Sequence, residues 1–88
     1  VTFTLRPEVS TARTENGTVL LDETTGRYWQ LNDTAAFILS ALMDGATTQE
    51  AAHRLHERHP VLPAEQAADD VASVIRALST ARLVAAIA

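Results

Sequence analysis

Eighty-eight residues, a formal net charge of −4 and no cysteine bound the chain to one domain, 1–88, with a modest core and no disulfide or thiolate metal site. All seven basic residues are arginine (Arg6, Arg13, Arg27, Arg54, Arg58, Arg76 and Arg82) and they are scattered, which disfavours nucleic acid, whose affinity comes from cations neutralising phosphates. No apolar run reaches the ~18 residues of a membrane span, and the N-terminus has no signal-peptide pattern, so a soluble, cytoplasmic chain without membrane contact is expected.

Phe3 and Leu5 alternate with Thr2 and Thr4, which is a strand signature over Val1 to Leu5. Pro7 ends it, having no N–H for a ladder. Ser10 to Thr14 is polar but tolerates extended structure. Asn16-Gly17 is a strong turn signal, because both residues accept positive φ. Thr18 to Asp22 is the next strand. Thr24-Thr25-Gly26 turns the chain, and Arg27 to Leu31 returns antiparallel. Trp29 and Leu31 share one face, assigned to the core; Tyr28 and Gln30 share the other. Asn32 or Asp33 then caps a helix.

From there the apolar period changes from two to about 3.6. Ala35, Ile38, Leu39, Leu42 and Met43 form a helical stripe, closed by Asp44-Gly45 with Gly45 at C′. Thr47 and Glu50 make a capping box. Ala51, Ala52 and Leu55 are the buried side of a second helix, which ends near His59-Pro60. Pro63 suits the first turn of a third helix, whose stripe is Ala67, Val71, Val74, Ile75 and Leu78. Arg82-Leu83-Val84 and the tail either finish that helix or fold back as a short extended piece. The expected class is α+β: an N-terminal three-stranded antiparallel sheet packed on three helices, winged helix-turn-helix-like.

Few residues here support catalysis. His53, His56 and His59 step by three and drift around a 3.6-residue helix, so solvated surface suits them better than zinc. Glu65, Asp69 and Asp70 complement the start of the third helix and lack the cleft that an acid–base pair needs. The three glycines stand alone at turns, so no phosphate loop exists. A winged-helix DNA binder would place the helix from Pro63 to about Ala81 in the major groove. Its first half carries carboxylates, which phosphates repel. An edge strand beside helices is instead a dock for an extended peptide.

The succession Val19-Leu20-Leu21-Asp22, a glycine turn, Arg27-Tyr28-Trp29-Gln30-Leu31-Asn32, Thr34 to Leu39, and Leu42-Met43-Asp44-Gly45 resembles the PqqD-like family. Thr48 to Ala52, Asp70-Val71 and Ile75 to Leu78 extend the likeness across most of residues 18–84. Within the family, the chain is most similar to the stand-alone leader-recognition subunit of lasso-peptide biosynthesis; the alternative there is the chaperone of the pyrroloquinoline quinone pathway. The resemblance implies a recognition element for a ribosomal precursor peptide. The leader adds as a strand on the third strand of the sheet, here Arg27, Tyr28, Trp29, Gln30 and Leu31, against a groove wall of Ala67, Asp70, Val71, Val74 and Leu78. Ala67 would permit close approach, Val71, Val74 and Leu78 would supply apolar pockets, and Asp70 could accept a hydrogen bond from the leader. Those three apolar residues equally suit core packing. The implied partners are the leader, a cysteine-type leader peptidase and an ATP-dependent macrolactam synthetase, with no metal or nucleotide held by the domain itself.

Overall fold

The computed structural model describes residues 2–15 and 17–87. Five strands and three helices follow in the order β1 (Thr2–Leu5), β2 (Val9–Thr14), β3 (Gly17–Asp22), β4 (Tyr28–Leu31), α1 (Asp33–Met43), α2 (Thr48–Arg58), α3 (Ala64–Thr80) and β5 (Val84–Ile87). β2, β3 and β4 form the three-stranded antiparallel sheet, with β3 central and β4 at an edge. β1 lies outside it and pairs antiparallel with β5. The winged-helix likeness is therefore loose, because a second small sheet flanks the helices. The strand expected over Arg27 to Leu31 is β4, and Arg27 precedes it.

Local chemistry sets most of the boundaries. The side chain of Asn32 caps α1, its Oδ1 accepting from the Ala35 amide at 2.8 Å. Gly45 adopts φ 93° at C′. The Gly45 amide donates to Leu42 and the Ala46 amide to Ala41, which is a Schellman ending. Thr47 and Glu50 close the capping box of α2 at 3.0 and 3.2 Å. The Thr47 amide, then its hydroxyl, hold the Glu50 carboxyl below its ordinary pKa. A depressed carboxylate stabilises above its unfolded pKa, and that contribution is lost as pH falls through the lowered value.

One boundary differs from the sequence reading, and at another the structure takes one of the two alternatives left open. Pro63 is the N-cap of α3 rather than its first residue, with ψ 147° and no side-chain cap bond. Its carbonyl accepts the first helical bond, from Ala67 at 3.0 Å. At the other end the chain folds back. Arg82 takes φ 60°, the Arg82 amide donates to Ser79 and the Leu83 amide to Leu78. A second Schellman ending thus turns the chain into β5 without a glycine. Asn16 lies outside the described residues; its neighbour Gly17 has φ 121°.

The core has two parts joined by α1 and α3. Ile38, Leu42, Ala51, Leu55, Ala67 and Val71 unite the helices. Val9, Leu20, Leu31, Leu39, Leu78, Leu83 and Val84 unite the sheet, α1, the end of α3 and β5. Each fully buried Leu contributes on the order of 1.5–3 kcal/mol. Met43, placed in the apolar stripe of α1 by its spacing, is exposed.

Gly17 couples the hairpin to the edge strand. A Cβ there would meet the Leu31 carbonyl oxygen at 2.7 Å, and its φ is one that side chains rarely adopt. Gly17→Ala should therefore cost about 1–3 kcal/mol, read as a fall in thermal midpoint, and should shift β4 along its pairing with β3.

Candidate functional site

β4 is terminal in its sheet among the described residues. Its orientation follows from the register. The Asp22 backbone amide donates to the Arg27 carbonyl at 2.8 Å, and Leu21 faces Tyr28 while Leu20 faces Trp29. In an antiparallel ladder, bonded and non-bonded pairs alternate. The Leu21–Tyr28 pair is then a non-bonded one, and the Tyr28 N–H and C=O point away from β3, to the open edge.

The side chains alternate as well. Trp29 stands opposite Leu20, which is fully buried. Trp29 is half-buried and packs on the sheet-side core, and Leu31 is buried within it. Tyr28 lies on the outer face, 71% exposed, opposite Leu21. Arg27 and Gln30 are exposed. The assignment of Trp29 and Leu31 to the core side agrees with this placement.

α3 divides its expected groove residues between two surroundings. Ala67 and Val71 are buried among the helices, with α1 and α2. Leu78 is buried with Leu31 in the sheet-side cluster, and Trp29 packs against the same cluster. Val74 is half-buried and touches both clusters. Asp70 is half-buried, and its Oδ1 accepts from Gln66 Nε2 at 3.0 Å. The structure thus brings Trp29, Leu31, Val74 and Leu78 together. Val71 instead lines a groove on the other flank of α3, between α2 and α3.

That second groove was missed from the sequence, although Ala64, Ala68 and Ala72 recur at helical spacing. The histidines beside it are separately engaged. His53 Nε2 lies 3.4 Å from Glu57, and His56 Nδ1 lies 2.6 Å from the Leu62 carbonyl oxygen, holding the α2–α3 loop. Among the described residues no helix is long and apolar enough to cross a membrane.

The sequence matches the family described as "Coenzyme PQQ synthesis protein D (PqqD)" over residues 17–84. No protein with a curated description matches the chain. Among solved structures, it is similar to "Lasso peptide synthetase B1 complexed with the leader peptide", at 38% identity and a TM-score of 0.92, with 98% of this chain and 100% of that one covered. It also superimposes on "TbiB1 in Complex with the TbiA(beta) Leader Peptide" with a TM-score of 0.85 over 96% of each chain; at 24% identity this likeness speaks to the fold alone.

Proposed function

We propose that this chain, which belongs to the PqqD family and is a PqqD-like precursor-peptide recognition element, binds the leader segment of a ribosomally made precursor, of the lasso-peptide class, as an added strand on β4. The observation that carries the reading is an open edge at Tyr28 on a strand whose Trp29 packs against the same core cluster as half-buried Val74 of α3, in a chain similar over 98% of its length to a lasso peptide synthetase B1 solved with a leader peptide. Main-chain bonds to the edge supply affinity and alternate side chains supply selectivity.

The alternation of β4 assigns two kinds of contact. Leader side chains on the inner face extend the row of Trp29 and Leu31 toward Val74, with Leu78 buried beneath, where apolar groups fit. Side chains on the outer face lie beside Tyr28. Asp70 borders the inner side farther up α3, with Ala67 buried among the helices; Arg27 precedes the strand and Gln30 lies on its outer face with Tyr28. The domain is non-catalytic in this reading. It holds the precursor for a cysteine-type leader peptidase and a macrolactam synthetase. The lasso class is favoured over the pyrroloquinoline quinone pathway because the likeness to the lasso subunit covers nearly the whole chain.

The test uses the chain's single tryptophan. Trp29 lies at the proposed contact, so titration with the synthetic leader should give a saturable change in its emission. A scrambled leader should give none. Identical traces for the two peptides would rule the reading out.

A further inference from the structure

Among the described residues the three-stranded sheet has a second open edge. β2 lies on the far side of β3 from β4, and β1, the strand before it, pairs with β5 instead. The register decides which backbone groups this edge offers. The Glu23 amide donates to the Glu8 carbonyl at 2.9 Å, so Glu8 and Glu23 are a bonded pair. Alternation then makes Ser10–Leu21 and Ala12–Val19 bonded, and Val9–Asp22, Thr11–Leu20 and Arg13–Thr18 non-bonded. The N–H and C=O of Thr11 and Arg13 therefore point away from β3, as does the Val9 carbonyl. The Val9 amide turns back to the Arg6 carbonyl at 3.0 Å.

An edge of this kind pairs with another strand unless it is guarded. β2 spans Val9–Thr14 without proline, lysine or glycine, and its pairing with β3 runs without a bulge. Arg13 is its one charged side chain. It borders an open cleft of about 820 Å³ that also touches Phe37 and Met43 of α1 and Arg58 of α2.

Symmetry and charge choose the occupant. A two-fold axis through Thr11, perpendicular to the sheet, sets a second β2 antiparallel to the first. The two Thr11 residues then exchange both main-chain bonds, and each Arg13 amide meets the Val9 carbonyl of the other copy. Outward groups meet outward groups, and Thr–Thr is a favourable cross-strand pair. The two Arg13 residues stay about 13 Å apart along the strands. The cleft carries both signs, Arg13 and Arg58 with Glu15 and Asp33, so it selects neither an acidic nor a basic peptide. A second copy brings the same balance and no like-charge excess. This axis keeps both inner faces on one side, so the two clefts meet beneath the junction and Met43, 36% exposed, gains cover. We infer that β2 is a self-association edge, which joins two copies into one sheet of order β4-β3-β2-β2-β3-β4. The junction is narrow, so the dimer is weak and concentration-dependent. It leaves a β4 edge open at each end and does not rest on the leader-binding reading.

Sedimentation velocity, from low micromolar to near-millimolar concentration, should show monomer converting to dimer. Thr11→Pro removes an outward N–H and no bond to β3. It should raise the dimer dissociation constant about tenfold, with the thermal midpoint near wild type. Tyr28→Pro, at the other edge, should leave the dimer intact. The chain has no cysteine, so single-cysteine variants read the register. Thr11→Cys should give a disulfide-linked dimer on mild oxidation, and Arg13→Cys, on the same face, should not.

A chain that stays monomeric throughout would overturn the inference. A dimer lost with Tyr28→Pro but kept with Thr11→Pro would assign the contact to β4 and overturn it equally. So would Arg13→Cys crosslinking as well as Thr11→Cys does. Where Thr11→Pro also lowers the thermal midpoint, the cysteine pair decides. Leader titration by Trp29 emission reads the leader-binding proposal alone, so the failure of one is distinguishable from the failure of the other.

Discussion

Tyr28→Pro should abolish most leader binding while leaving the domain folded. The Tyr28 N–H points to the open edge, because the Asp22–Arg27 bond makes Leu21–Tyr28 a non-bonded pair. Proline there removes no bond from the β3–β4 ladder, and edge strands tolerate it for that reason. What it removes is the donor offered to an added strand, and its ring occupies the space where that strand must approach. One net hydrogen bond is worth roughly 0.5–1.5 kcal/mol. Steric exclusion adds to it, so the expected loss is on the order of tenfold to a hundredfold.

Two controls separate backbone from side chain. Tyr28→Ala keeps the N–H and deletes the ring, and it should weaken binding less than proline does. Trp29→Pro removes a donor aimed at β3 and should lower the thermal midpoint sharply. Equal affinities for Tyr28→Pro and Tyr28→Ala, measured by isothermal calorimetry, would mean that the leader does not pair with this edge.

The edge strand was legible because its period is two and its neighbours are turns. Trp29 and Leu31 could be placed inward before any coordinates, since apolar residues two apart must share a face. Asn32, Gly45 and the Thr47–Glu50 box were legible for the same local reason: each satisfies an end group within a few residues. β1 and β5 were harder. Their pairing joins the two ends of the chain, Thr2 to Ile87 and Leu5 to Val84, and no local pattern carries a contact of that separation. The turn into β5 was hidden too, because Arg82 occupies the left-handed position that usually announces itself as glycine. On α3 the stripe was visible, but a stripe does not say which neighbour each residue meets. Val71 packs in the cluster that unites the helices and Leu78 in the one that unites the sheet, α1 and β5, a division made by the direction in which α3 crosses the rest of the fold.

That division predicts opposite phenotypes for two residues one turn apart. Leu78 is 4% exposed and packed among Leu20, Leu31, Leu83 and Val84. Leu78→Ala should cost about 2–5 kcal/mol, a large fraction of the stability of so small a domain. Leader affinity of the fraction still folded should change little, since the lost methyls lie below the surface. Val74 is half-buried and borders both core clusters. Val74→Ala should cost only about 1 kcal/mol, yet it thins the apolar wall proposed for the leader and should weaken its binding several-fold. Val74→Glu places a carboxylate where the leader would have to desolvate it, and binding should fall about tenfold to a hundredfold. Urea denaturation and leader titration on the same samples read the two axes independently. If Val74→Glu binds the leader as wild type does, α3 is not the opposite wall, and the peptide leaves β4 toward the outer face on which Tyr28 stands.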